Sequence, residues 1–173
     1  MFTVKKFLCL LLLMLFAASY ALAEIPDIFV LEPTAGPLES SSYIIPMYKG
    51  PTVQYEEMDI SLDPSKPYVF FGQSTSWMMV AIGTPDDYTN AGWIEGAALT
   101  LPLEPDLSFA DRLPAMVEET ADITFSPYET EPIGQLAEGT MVDILARDGS
   151  FLYIECPFGD TYIRCFIRES AIE

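Results

Sequence analysis

Three groups of residues in this chain could do chemistry: a pair of cysteines, a set of matched aromatics and a large excess of carboxylates. Cys156 and Cys165 lie close together in sequence. In an oxidising compartment such a pair can form a disulfide. A hairpin turning at Pro157–Asp160 would set Cys156 opposite Thr161 and Cys165 opposite Leu152, too far apart along the sheet to bridge. A wider loop would bring the two sulfurs together. A disulfide and two buried free thiols therefore both stay open. The aromatics Trp77, Trp93, Phe151, Tyr153 and Phe166 are the residues best suited to holding a ligand by stacking and apolar contact.

The chain contains no histidine. Cys–His and Ser–His–Asp nucleophiles and histidine-ligated metals are thereby excluded. No Gly-x-Ser-x-Gly elbow and no phosphate-cradling glycine loop is present. Asp86, Asp87 and Asn90 offer oxygen ligands, but their spacing matches no calcium loop, and the stretch reads as a solvated loop. Carboxylates are abundant, yet nothing in the sequence places two of them in one cleft. The expectation is a protein that is not an enzyme and needs no metal or cofactor.

The elements that would position these residues follow a leading segment. Lys5 and Lys6, then the uncharged run Phe7–Ala23 ending in Ala21-Leu22-Ala23, read as a secretory signal peptide over residues 1–23. Without it six basic residues face 26 acidic ones, a net charge near −20. Such a field repels nucleic acid and anionic lipid and favours cationic ligands. No later apolar run is long enough to span a bilayer. The expected location is secreted or in the cell envelope. Residues 24–42, with three prolines, read as an extended leader carrying an edge strand at Ile28–Leu31.

Beyond the leader the pattern is β throughout. Met58–Leu62 alternates apolar and polar, Tyr68–Phe71 and Trp77–Ile82 are β-branched and aromatic, and Gly92–Ile94 is a short strand after a polar loop over residues 83–90. Leu101–Asp106 reads as a junction, followed by short strands at Leu107–Phe109 and Ala115–Val117. A second series then repeats the first at Ile123–Phe125, Ile133–Leu136, Met141–Leu145, Phe151–Cys156 and the return strand around Phe166. Leu62 to Trp77 and Leu136 to Phe151 are both 15 positions, and Trp77 to Trp93 is one longer than Phe151 to Phe166. This is the mark of a duplicated β unit. Alternation sends Met78, Val80, Leu152, Ile154, Ile94 and Ile167 to one face, and Trp77, Trp93, Phe151, Tyr153 and Phe166 to the other.

The stretch Gly92-Trp-Ile with Leu99, preceded by Trp77-x-x-Val80, resembles the bacterial SH3-like domains. So does Leu136-Ala-Glu-Gly139 followed by Val142-Asp-Ile-Leu145, Phe151–Ile154 and Cys165-Phe-Ile167. The resemblance implies an all-β chain of two tandem small SH3-like β-barrels, one over residues 43–102 and one over residues 103–173 including a short lead-in. It also implies binding of the cell wall or of peptides. Glu95 and Arg168 stand where a polyproline groove needs proline, and Ala98 and Ala171 where it needs tyrosine, so polyproline recognition is not expected. The expected function is an exported, non-catalytic binding protein of the bacterial envelope. It would hold peptidoglycan or its peptides over the five aromatics. The alternative is an extracytoplasmic scaffold for an envelope protein, whose two barrels pack together and hold no small ligand.

Overall fold

The computed structural model describes residues 44–96, 107, 109 and 112–172. The signal segment, the leader with its strand, and the junction at Leu101–Asp106 lie outside the described residues. The named elements among the described residues are strands, followed by a short 3₁₀ turn at Glu169–Ala171. Strands β1 (Ile45–Tyr48), β2 (Glu57–Leu62), β3 (Tyr68–Ser74), β4 (Trp77–Thr84) and β5 (Asp87–Glu95) form one antiparallel sheet in the order β2-β1-β5-β4-β3. Strands β6 (Leu113–Met116), β7 (Ala121–Thr124), β8 (Gly134–Leu136), β9 (Met141–Asp148), β10 (Phe151–Phe158) and β11 (Thr161–Arg168) form a second, in the order β6-β9-β10-β11-β7-β8. With β6 set aside the two sheets share one strand order. The register agrees as well: Trp77 pairs with Glu95 as Phe151 pairs with Arg168.

The expected SH3-like barrels do not form, and the assignment to a bacterial SH3 architecture falls with them. Both sheets are open. The edges β2 and β3 do not pair with each other, nor do β6 and β8, as barrel closure would require. The physical reason lies in the faces. Each sheet is apolar on both sides, so a sheet that closed on itself would still expose one apolar face. Stacking the two sheets buries that face instead. The result is three apolar clusters. Met78, Val80 and Ile94 lie in a cluster built mostly by the first sheet. Leu152, Ile154, Cys156, Cys165 and Ile167 lie in one built by the second. The third is shared and holds Trp77, Met79, Trp93, Tyr153 and Phe166 together with Leu107 and Phe109.

Two local departures from the expected strands set this arrangement. The β4–β5 hairpin is tight, with Thr84 opposite Asp87, so most of the expected loop over residues 83–90 is strand. Tyr88 within it is fully buried. In addition, β5 carries an extra residue between Thr89 and Gly92 where β4 advances only from Ile82 to Val80. Asn90 sits at this bulge with φ 50, a left-handed conformation that Asn tolerates better than most residues. The bulge turns two backbone N–H groups away from β4. Ala91 N donates to Phe125 O at 3.0 Å, and Asn90 N to Glu129 Oε1 at 2.7 Å.

The β10–β11 turn falls later than Pro157–Asp160 would suggest. It uses only Gly159 and Asp160, with Phe158 opposite Thr161. Gly159 has φ 61, as the first central position of a type II′ turn requires. The shift places Cys156 opposite Ile163 and Cys165 opposite Ile154, so the two cysteines become diagonal neighbours on one face. Both are free thiols, fully buried, with Sγ···Sγ 3.7 Å. Burial, then contact with Cys156, pushes the Cys165 thiol well above its ordinary pKa, which leaves little reactive thiolate. A chain beginning at Glu24 should therefore show no rapid reaction with an aromatic disulfide reagent when native, and reaction of both thiols in denaturant. Labelling of the native protein at the unfolded rate would contradict this packing.

Candidate functional site

The five predicted aromatics divide between two environments. Trp77, Trp93, Tyr153 and Phe166 are buried, the last three almost completely. They belong to the shared cluster, with Phe151 half-buried at its margin. Trp93 on β5 and Tyr153 on β10 come from different sheets, and the Trp93 Nε1–H donates to the Tyr153 hydroxyl at 2.9 Å. Tyr153 also packs on Phe166 with ring centroids 5.0 Å apart, and Tyr48 meets Trp77 edge-on at 5.2 Å. Each such ring contributes about 2 kcal/mol through burial. Four of the five are thus packed between the sheets, and they line no open groove.

Polar contacts lock the same interface at its rim. Tyr88 donates its hydroxyl to Asp148 Oδ2 at 2.5 Å, and Ser126 Oγ donates to the Tyr88 carbonyl. Burial, then the Asp148 carboxylate, drives the Tyr88 pKa far above its ordinary value. At the opposite rim Arg164 N donates to Lys49 O at 2.9 Å, tying β11 to the end of β1. The Arg164 guanidinium is almost fully buried and lies over the rings of Trp93 and Phe109 at 5.3 and 5.4 Å. Its Nε donates to Glu155 Oε2 at 2.9 Å. The same carboxylate accepts from the Tyr55 hydroxyl at 2.5 Å and from Arg112.

Glu155 therefore joins three segments of the chain. Burial raises its pKa, but the Tyr55 hydroxyl and the Arg164 and Arg112 charges outweigh burial and hold it below the usual carboxylate range. None of these partners was evident from the sequence. Glu155 stands two positions from Tyr153 on the same strand, and neither it nor a buried arginine gives a local pattern.

The described surface carries several concavities. One, of about 530 Å3, is lined among others by Glu119, Asp122, Tyr128, Phe151 and Arg168. Phe151 is the one predicted aromatic that reaches it. A second, about 400 Å3, lies beside Met58, Phe125 and Phe158, and a third, about 490 Å3, beside Tyr55 and Glu155. Among the described residues no group of three or more metal-ligating side chains converges. Among them, too, no helix is long and apolar enough to cross a membrane.

Comparison with family models, with characterised proteins and with solved structures finds no match to this chain.

Two outcomes test the interface. Tyr153→Phe should cost about 1–3 kcal/mol in urea unfolding, because it strands a buried indole N–H. A loss below the fitting error would show that the bond carries no weight. Glu155 has a depressed pKa in the folded state, so its contribution is complete above the unfolded value of about 4.3. That contribution should fade as pH falls through the lower folded value. Glu155→Gln should destabilise the protein by about 3 kcal/mol at neutral pH, the cost of stripping one partner from a buried ion pair. It should also flatten the acid limb of the stability curve, and an unchanged acid limb would remove Glu155 as its cause.

Proposed function

We propose that this is an exported, non-catalytic protein of the cell envelope that works as an interaction scaffold. Two sheets fused through one aromatic layer form its body, and its outer surface meets a partner protein. The observation that carries this reading is the position of Trp77, Trp93, Tyr153 and Phe166 in the layer between the sheets. Residues that could have gripped a wall peptide are instead used to join the two halves. The charge of the chain and the signal-like segment at residues 1–23 support an extracytoplasmic setting. The excess of carboxylates favours a partner whose contacting surface is basic.

The peptidoglycan reading depends on an open aromatic groove, and of its five residues Phe151 alone stands beside an open cleft. A depletion experiment separates the two. The chain from Glu24 is passed over purified wall material and, separately, over immobilised envelope proteins, at low and at high salt. A scaffold is depleted by the proteins at low salt and released by high salt, and passes the wall material freely. Retention by wall material alone would restore the peptidoglycan reading, and passage through both columns would overturn the scaffold.

A further inference from the structure

The pairing of the basic residues singles out one cleft. The six that follow residue 23 lie within the described residues, and five of them have a carboxylate partner. Lys49 meets Glu56 at 2.7 Å, Lys66 meets Asp63 at 3.7 Å, and Arg147 meets Glu169 at 2.6 Å. Arg112 meets Asp143 at 3.5 Å as well as Glu155, and Arg164 meets Glu155 at 2.9 Å. Arg168 alone has no carboxylate partner among the described residues. In a chain with 26 acidic residues this is unexpected. Its guanidinium lies 5.0 Å from the centroid of the Phe151 ring, and both residues line the cleft of about 530 Å3.

The rest of the cleft completes a dipolar site. Tyr128 is an exposed aromatic on its wall, set edge-on against Tyr88. Glu119 and Asp122 line it too. Asp122 is engaged by Gln135, and Glu119 is exposed. A volume of about 530 Å3 falls within the range of sites that take small ligands. A guanidinium with no carboxylate partner among the described residues, two aromatic walls and an acidic rim match a group that carries a carboxylate, an apolar side chain and a cation a few atoms further on. A peptide end has that order of groups. The net charge of the chain repels a carboxylate in general, and Arg168 supplies a local cation that can offset that repulsion in this cleft.

We propose that this cleft receives the free C-terminal carboxylate of a partner polypeptide. Arg168 holds the carboxylate, Phe151 and Tyr128 flank the last side chain, and Glu119 faces a basic residue upstream. The inference rests on the scaffold reading, since it assigns part of the partner's contact to this cleft.

The test is calorimetric titration of the chain from Glu24 with the tripeptide Lys-Ala-Phe at low ionic strength, as free acid and as C-terminal amide. The free acid should bind at least about tenfold more tightly, the scale of a charge-assisted hydrogen-bonded pair. Arg168→Gln, an exposed substitution, should bind acid and amide alike while its urea unfolding midpoint stays unchanged. Equal affinity of acid and amide for the unaltered chain, absence of binding by either, or an acid preference that survives Arg168→Gln would each overturn the proposal. Tighter binding of a peptide ending in two D-alanines would overturn the assignment to a protein tail and point to the wall instead. If Arg168→Gln is depleted by envelope proteins as well as the unaltered chain is, the cleft proposal fails and the scaffold stands.

Discussion

The hydrogen bond from Trp93 to Tyr153 joins two sheets within a layer that is mostly aromatic and aliphatic. A buried indole N–H without a partner is costly. The bond therefore fixes how the sheets face each other as well as adding to their attraction. Packing between flat apolar faces is non-directional. A polar pair inside it is satisfied at one relative placement of β5 and β10, and other placements leave both groups bare. The surrounding rings, from Trp77 to Phe166, supply the larger part of the burial energy, while this one bond supplies selectivity.

The bulge in β5 does related work with backbone groups. A regular strand would spend the N–H groups of Asn90 and Ala91 within its own sheet or on water. The extra residue and the left-handed φ at Asn90 turn them toward Phe125 and Glu129. Glu129 also accepts from Phe125 N at 2.9 Å, so one carboxylate closes the segment after β7 onto the bulge. At the other rim Arg164 binds β1 through its backbone and Glu155 through its side chain. Backbone and side-chain contacts therefore join the two sheets at β5 and at β11, in addition to the aromatic layer.

Much of the strand pattern was legible because period-two alternation reports side-chain direction directly. Met78, Val80, Leu152, Ile154, Ile94 and Ile167 do lie on the faces opposite the aromatics. Closure was not legible. Alternation shows that a strand has two apolar faces, but not whether the second is covered by its own sheet or by another one. Turn position was legible only to within two residues. Pro157 looks like a turn residue, yet it sits inside β10 opposite Tyr162, and the glycine two positions later makes the turn. That displacement alone carries Cys165 from the neighbourhood of Leu152 to that of Ile154. Tyr88 was hidden in a run of polar residues, and its hydroxyl is received by Asp148, sixty positions away. Contacts of that range leave no mark on local spacing.

Charge accounts for how the remaining surface is organised. Carboxylates outnumber cations more than four to one once the first 23 residues are set aside, so a basic side chain almost anywhere on this body can find an acid. The paired cations are placed where they join segments: Arg112 and Arg164 at Glu155, Arg147 at the 3₁₀ turn through Glu169, and Lys49 across the β1–β2 connection through Glu56. Arg168 ends β11 directly opposite Phe151, and its cross-strand neighbour on that pair is an aromatic ring. The register that brings Tyr153 against Phe166 in the layer between the sheets therefore also sets Phe151 against Arg168 two positions along. One alignment of β10 on β11 both builds the aromatic layer and stacks on Phe151, beside the cleft, a guanidinium that meets no carboxylate among the described residues.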